Sequence, residues 1–174
     1  MDISNFKTLI KKEEIEKRIK ELAKIIDETY ANKPIVLVCV LKGAIVFYAK
    51  LLEYLKTSNI ELDFIQLKSY SGMKSTGRVE VIKDITTNLK DKNVVVVEDI
   101  IDTGITANYL YDYLKAKDAS NVVMCSLLQK PSKLLVDLKI KTLIGFEIGD
   151  KFIIGYGLDL DEKYRNLNEI LVLK

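Results

Sequence analysis

Val94-Val95-Val96-Val97-Glu98-Asp99-Ile100-Ile101-Asp102-Thr103-Gly104-Ile105-Thr106 joins an apolar run, paired acids and a hydroxyl-rich turn without a break. Four consecutive valines suit a parallel strand covered on both faces. A strand over 93–97 leaves Glu98 and Asp99 at the mouth of a sheet. Taking two carboxylates out of water there is costly unless a metal ion or a hydroxyl-rich ligand meets them. The next residues supply two hydroxyls and a glycine just ahead of a helix expected over 107–116. N–H groups at a helix start, with the Thr103 and Thr106 hydroxyls, can cradle a phosphate, and Gly104 permits close backbone approach. Taken singly, Asp102 or Thr103 is more often an N-cap than a ligand. The combination favours a phosphorylated sugar, with its hydroxyls on the acids and its phosphate on the turn.

Working outward, the pattern is α/β. Leu9, Ile10, Ile15, Ile19, Leu22, Ala23, Ile25 and Ile26 form an apolar stripe that predicts a helix over 9–30, broken by Asn32 and Pro34. Residues 35–41 are almost wholly apolar and predict a buried strand; Lys42-Gly43 follows, then a helix over 44–55. Further strands are expected at 62–67, 79–82, 121–128, 141–146, 152–156 and 169–173. The polar stretch 69–78, with two glycines and no periodicity, reads as a mobile loop. Strands alternating with helices imply a mostly parallel sheet with helices on both faces. Right-handed crossovers then bring 41–43 and 98–106 to one sheet edge, where such folds bind ligands.

The 174 residues suit one domain with a sizeable core. With 27 basic and 25 acidic side chains, net +2, composition makes no case for nucleic acid or an anionic membrane as partner. Histidine is absent, which excludes Ser-His-Asp and Cys-His catalysis and histidine-based zinc or haem sites. Cys39 and Cys125 sit inside apolar runs and read as buried free thiols. No signal-peptide pattern is seen and no apolar run approaches the ~20 residues that span a bilayer. The expectation is a cytoplasmic protein.

Neither GxxxxGK[ST] nor GxGxxG is present. Residues 94–106 instead resemble the phosphoribosyl-pyrophosphate (PRPP) motif of the type I phosphoribosyltransferases, and the resemblance extends over nearly the whole chain. Leu41-Lys42-Gly43 is similar to that family's pyrophosphate loop, Ser69-Tyr70 to the start of its flexible catalytic loop, and Lys130 to its purine-reading lysine. Residues 151–159 resemble its purine pocket and 161–167 its carboxy-terminal signature. The resemblance implies a type I phosphoribosyltransferase fold over 1–174, with a small hood from about 1–12 and 142–174 and a flexible loop at 69–78. It also implies transfer of phosphoribose from PRPP to hypoxanthine or guanine in purine salvage, giving IMP or GMP, with Mg²⁺ as cofactor and a homo-dimer or homo-tetramer as the assembly.

By the same resemblance, Glu98 and Asp99 hold the ribose hydroxyls directly or through Mg²⁺, with Asp159 as a further metal and purine-side carboxylate. Asp102 handles the proton on purine N7. Thr103, Gly104, Ile105 and Thr106 bind the 5′-phosphate; family members often carry Lys at the position of Ile105. Leu41, Lys42 and Gly43 bind pyrophosphate, with a cis peptide expected between Leu41 and Lys42. Lys130 meets the 6-oxygen and favours oxo over amino purines, since a 6-amino group turns donors toward a donor. Phe152 stacks on the base, the Ile153 backbone reads its edge, and Lys151 belongs to the same pocket. Arg165 lies near pyrophosphate, and Ser69 and Tyr70 close over the site. Taken without the resemblance, Lys42 reads as a solvated charge, Phe152 as strand core and Arg165 as a surface ion-pair partner. Two alternatives stay open: a preference for xanthine, and a nucleotide-sensing RNA-binding regulator of the same fold.

Overall fold

A computed structural model describes residues 3–31, 33–69 and 79–174. In chain order, β1 is Phe6–Ile10, α1 Lys12–Tyr30, β2 Ile35–Leu41, α2 Ile45–Tyr54, β3 Ile60–Ser69 and β4 Val79–Lys83. β5 is Asn93–Ile101, α3 Ile105–Lys115, β6 Asn121–Gln129, β7 Lys141–Glu147, β8 Ile153–Ile154 and β9 Ile170–Leu173. The apolar strands β2, β5 and β6 lie side by side within a sheet ordered β4-β3-β2-β5-β6-β7. Its pairs are parallel apart from β3–β4. Val38 stands opposite Val96, and Val96 opposite Met124, so the runs read from sequence align in register.

Strand alternation sends these side chains to two cores. Leu37, Cys39, Val95, Val97, Cys125 and Leu127 pack with Ile19, Leu22 and Ile26 of α1 and Phe47 and Leu51 of α2. Val36, Val38, Val94, Val96 and Met124 face the other way, onto Leu110 and Leu114 of α3. Central strands covered on both faces are the reason the sequence shows unbroken Val and Ile rather than alternation.

Three boundaries differ most from the sequence expectation. Leu9 and Ile10 belong to a strand, and the helix begins only at Lys12, where the Glu14 carboxylate accepts the Lys11 N–H at 3.0 Å. β5 runs on to Ile101, with Glu98 paired to Ser126 and Ile101 to Gln129, so the two acids lie on the strand rather than after it. β1 pairs with β9, and β9 with β8, in a separate antiparallel sheet. The hood was expected to begin near 142; instead β7 completes the main sheet, and the small sheet draws on the carboxy-terminal part only from Ile153. Ile10, Ile153, Ile170 and Val172 seat that sheet on the core shared with α1 and α2. Ser69 ends β3; Tyr70 and the rest of the loop expected at 69–78 lie outside the described residues.

Candidate active site

At the carboxyl ends of β2 and β5 lies a cavity of about 290 Å³. It brings together Leu41, Gly43, Glu98, Asp99, Asp102, Thr103, Gly104, Thr106, Asp159 and Arg165. The chain turns at the end of β2 through a cis peptide between Leu41 and Lys42, as expected. A Cβ on Gly43 would stand 1.8 Å from Asp99 Oδ2, so any larger residue here pushes that acid aside. A Cβ on Gly157 would stand 1.9 Å from the Gly43 carbonyl oxygen. Main chain from the two ends of the sequence thus meets at the cavity wall.

Glu98 is buried, and its Oε2 has no hydrogen-bond partner. Desolvation, and then the neighbouring Asp99 charge, push its carboxyl well above the usual range; desolvation also raises Asp99. Such a pair is suited to meeting a cation or sugar hydroxyls. Past it, Gly104 takes a left-handed conformation (φ 81°) and α3 starts at Ile105, whose N–H lies 3.4 Å from Thr103 Oγ1. The first turn of α3 therefore points its N–H groups at the Thr103–Thr106 side of the cavity. Ile105 itself does not line the cavity.

The opposite wall is ionic. Arg165 Nη2 stands 2.7 Å from Asp159 and 3.1 Å from Glu162, while its Nη1 donates to the Gly157 carbonyl at 2.8 Å. Lys42 Nζ is 3.1 Å from Glu162, turned out of the cavity lining. Hydrogen bonds from Lys42 and Arg165 pull the Glu162 carboxyl below its ordinary range. Sequence reasoning did not single out Glu162; its one signal was a place in the charged run 161–165.

Of the expected purine residues, Asp159 lines that cavity, while Lys130, Lys151, Phe152 and Ile153 form a second group outside it. Lys130 is buried at the end of β6, its N–H bonded to the Ile101 carbonyl at 3.0 Å. Phe152 is 46% exposed, its ring tilted against Phe6 at 6.4 Å, so it presents a face to solvent rather than filling the core. Ile153 is buried in β8, and Lys151 is exposed. The two groups are joined by ion pairs. Lys130 Nζ is 3.7 Å from Asp150 Oδ1, Lys133 Nζ is 3.5 Å from the same oxygen, and Lys133 Nζ is 3.4 Å from Asp102 Oδ2. Lys133 and Asp150 were also missed from sequence; Pro131 opening a short turn before Lys133 was the only cue.

Glu98 and Asp99, and Asp159 as the expected further metal carboxylate, all line the cavity. Among the described residues, no three His, Cys, Asp or Glu side chains gather into a metal-ligand set. Asp159 already has protein partners on both oxygens, Arg165 on Oδ1 and the Glu162 N–H on Oδ2. Glu98 and Asp99 do fit a hard cation: both are carboxylates, and Glu98 carries a buried oxygen without a partner.

The family model described as "Phosphoribosyl transferase domain" matches residues 6–161. A hypoxanthine-guanine phosphoribosyltransferase of Streptococcus thermophilus is 43% identical over 97% of this chain and 93% of its own length. A hypoxanthine-guanine-xanthine phosphoribosyltransferase of Tritrichomonas foetus is also 43% identical, over 97% of this chain and 91% of its own. The crystal structure of a hypoxanthine-guanine phosphoribosyltransferase from Bacillus anthracis, with HEPES in its active site, superposes with a TM-score of 0.90. It is 42% identical and covers 97% of this chain and 98% of that one. The chain belongs to the type I phosphoribosyltransferase family. Within that family, these relatives, matched along nearly their full length, are hypoxanthine-guanine phosphoribosyltransferases and one close variant.

Proposed function

We propose that the chain transfers the 5-phosphoribosyl group of PRPP to N9 of hypoxanthine or guanine, releasing IMP or GMP and pyrophosphate, in purine salvage. The observation that carries this reading is the cavity itself. Carboxylates from the end of β5, a phosphate-suited helix start and the glycine loop after β2 converge on one space of sugar-phosphate size, in a chain of this family. Glu98 and Asp99 hold the ribose hydroxyls. Thr103, Gly104, Thr106 and the α3 amides hold the 5′-phosphate, Ile105 contributing main chain. The amides of Leu41-Lys42-Gly43, with Arg165, face pyrophosphate.

N9 attacks ribose C1 as the bond from C1 to the pyrophosphate oxygen breaks, and the electron pair leaves with pyrophosphate. Asp102 takes the proton from N7 as N9 bonds. A solution carboxylate near pKa 3.9 is a weak base, so its position in a closed, dry site supplies most of its effect. Lys130 donates to the 6-oxygen, Phe152 stacks on the ring, and Ile153 and Lys151 border the base. Ser69 and Tyr70 close over the reacting sugar and exclude water. The ion Glu98 and Asp99 would hold is Mg²⁺, with Asp159 behind them through Arg165, and its chemistry there is to neutralise charge on the leaving pyrophosphate.

We read 1–174 as one domain, working in the cytoplasm, where free thiols such as Cys39 and Cys125 persist. A homo-dimer or homo-tetramer suits the partly exposed apolar face that Ile45 and Val46 present on α2. The test of function is pyrophosphate release from PRPP with Mg²⁺ and each base in turn. Release with hypoxanthine and guanine, and none with adenine, is expected. No release with any base refutes the reading, and the same chain would then be titrated with RNA. The Tritrichomonas foetus relative, as similar as the Streptococcus one, makes xanthine the second acceptor to assay.

A further inference from the structure

Asp102 has two unlike oxygens. Oδ2 is 3.4 Å from the Lys133 ammonium, whereas Oδ1 is buried and has no hydrogen-bond partner. The carboxylate is thus gripped on one side and free on the other, on the wall of the cavity. The grip is built into the backbone. The Lys130 N–H bonds the Ile101 carbonyl at 3.0 Å, and the Leu135 N–H bonds the Thr103 carbonyl at 3.0 Å. These two bonds bracket Asp102, just past β5, and Lys133, in the turn just past β6. Between them Pro131 opens a single turn, closed by the Lys133 N–H on the Lys130 carbonyl at 3.0 Å, which folds Lys133 back toward Asp102. The far side of Lys133 meets Asp150, 3.5 Å away, and Asp150 meets Lys130 at 3.7 Å. The result is an alternating chain of charge: Asp102, Lys133, Asp150, Lys130.

We infer that Lys133 is a positioning residue for base transfer: it holds the Asp102 carboxylate by Oδ2 so that Oδ1 faces the purine, and through Asp150 it fixes the spacing between Asp102 and Lys130. N7 and the 6-oxygen are neighbours on one edge of the purine, so a correctly spaced acceptor and donor recognise the two together. Lys133 itself touches neither substrate. The Asp102 charge first, then Asp150, raises the Lys133 ammonium above its ordinary pKa, so the grip stays charged through the neutral range. The inference rests on Asp102 as the proton acceptor, and the test separates the two.

Lys133→Met, Lys133→Arg, Asp102→Asn and the double variant Asp102→Asn/Lys133→Met are assayed with hypoxanthine at saturating PRPP, with thermal melts alongside. Lys133→Met is expected to lower kcat by between about tenfold and a hundredfold, the scale of a misplaced reacting group, with the KM for PRPP unchanged. Lys133→Arg restores most of the rate, because it keeps the charge within reach of Oδ2. In the Asp102→Asn background, Lys133→Met costs little more, since the two residues act as a unit. A full additional loss there, or an unchanged kcat in Lys133→Met, overturns the inference while leaving Asp102 in its role. An unchanged kcat in Asp102→Asn overturns both.

Discussion

Asp63 offers a stability prediction whose size can be worked from its surroundings. It sits on β3 at 3% exposure. Its Oδ2 accepts the N–H groups of Thr86 at 2.8 Å and Thr87 at 2.7 Å, with the Thr86 hydroxyl at 3.2 Å; Oδ1 accepts the Phe64 N–H at 2.7 Å. Lys83 Nζ stands 3.8 Å away. Burial pushes the carboxyl up, but these hydrogen bonds outweigh it and draw the pKa down from 3.8 to about 2. A folded-state pKa below the unfolded value means stability that is fully present above pH 3.8 and lost as pH falls through 2. A shift of that size corresponds to about 2 kcal/mol, of which roughly half is gone by pH 3. Asp63→Asn keeps the shape but turns an amide N–H₂ toward one set of donors, removing the charge and leaving N–H groups of the 84–88 segment poorly met. Urea unfolding of both proteins at fixed concentration, from pH 7 down to pH 2, reads the difference. The variant is expected to be about 2 kcal/mol less stable at pH 7, with the gap closing steadily below pH 4. A gap of constant size across that range would refute the reasoning, because the loss would then come from packing and not from ionisation.

Gly43→Ala places a methyl group 1.8 Å from Asp99 Oδ2, and the displaced acid should cost about a hundredfold in kcat/KM for PRPP with the fold intact by circular dichroism. Arg165→Lys cannot reach Asp159, Glu162 and the Gly157 carbonyl together, so the KM for PRPP should rise about tenfold in steady-state assays. Burial pushes the thiols of Cys39 and Cys125 up to about 12, so at pH 8 roughly one in ten thousand is thiolate. Both should ignore a disulfide reagent in the folded protein and react at once in denaturant.

The main sheet was legible because its strands are buried on both faces. Val36 to Val40 and Val94 to Val97 can satisfy two cores only by being apolar at every position. The edges were less legible for the opposite reason. Leu9 and Ile10 continue the spacing of the α1 stripe, and the residues that make them a strand, Ile170 to Leu173, lie at the far end of the sequence. Local periodicity carries no record of such a partner. At the site, the acids and the hydroxyl turn were visible because they sit on one stretch of chain. The Arg165–Glu162–Lys42 group and the Lys133–Asp150 bridge join distant segments through side chains that, in a string of Lys and Glu, look like ordinary solvated charge.

The pairing of Phe6 with Leu173 also sets a timetable for synthesis. At about 5–20 residues per second, β1 waits on the order of ten to thirty seconds after its synthesis for its neighbour β9. During that wait β2, β3 and β5 can already align, since each finds its partner earlier in translation. The small sheet, and with it the Phe6 ring against which Phe152 rests, is fixed last. A chain halted after β7 would hold its six-stranded sheet in place while β1 still lacked the strand it pairs with.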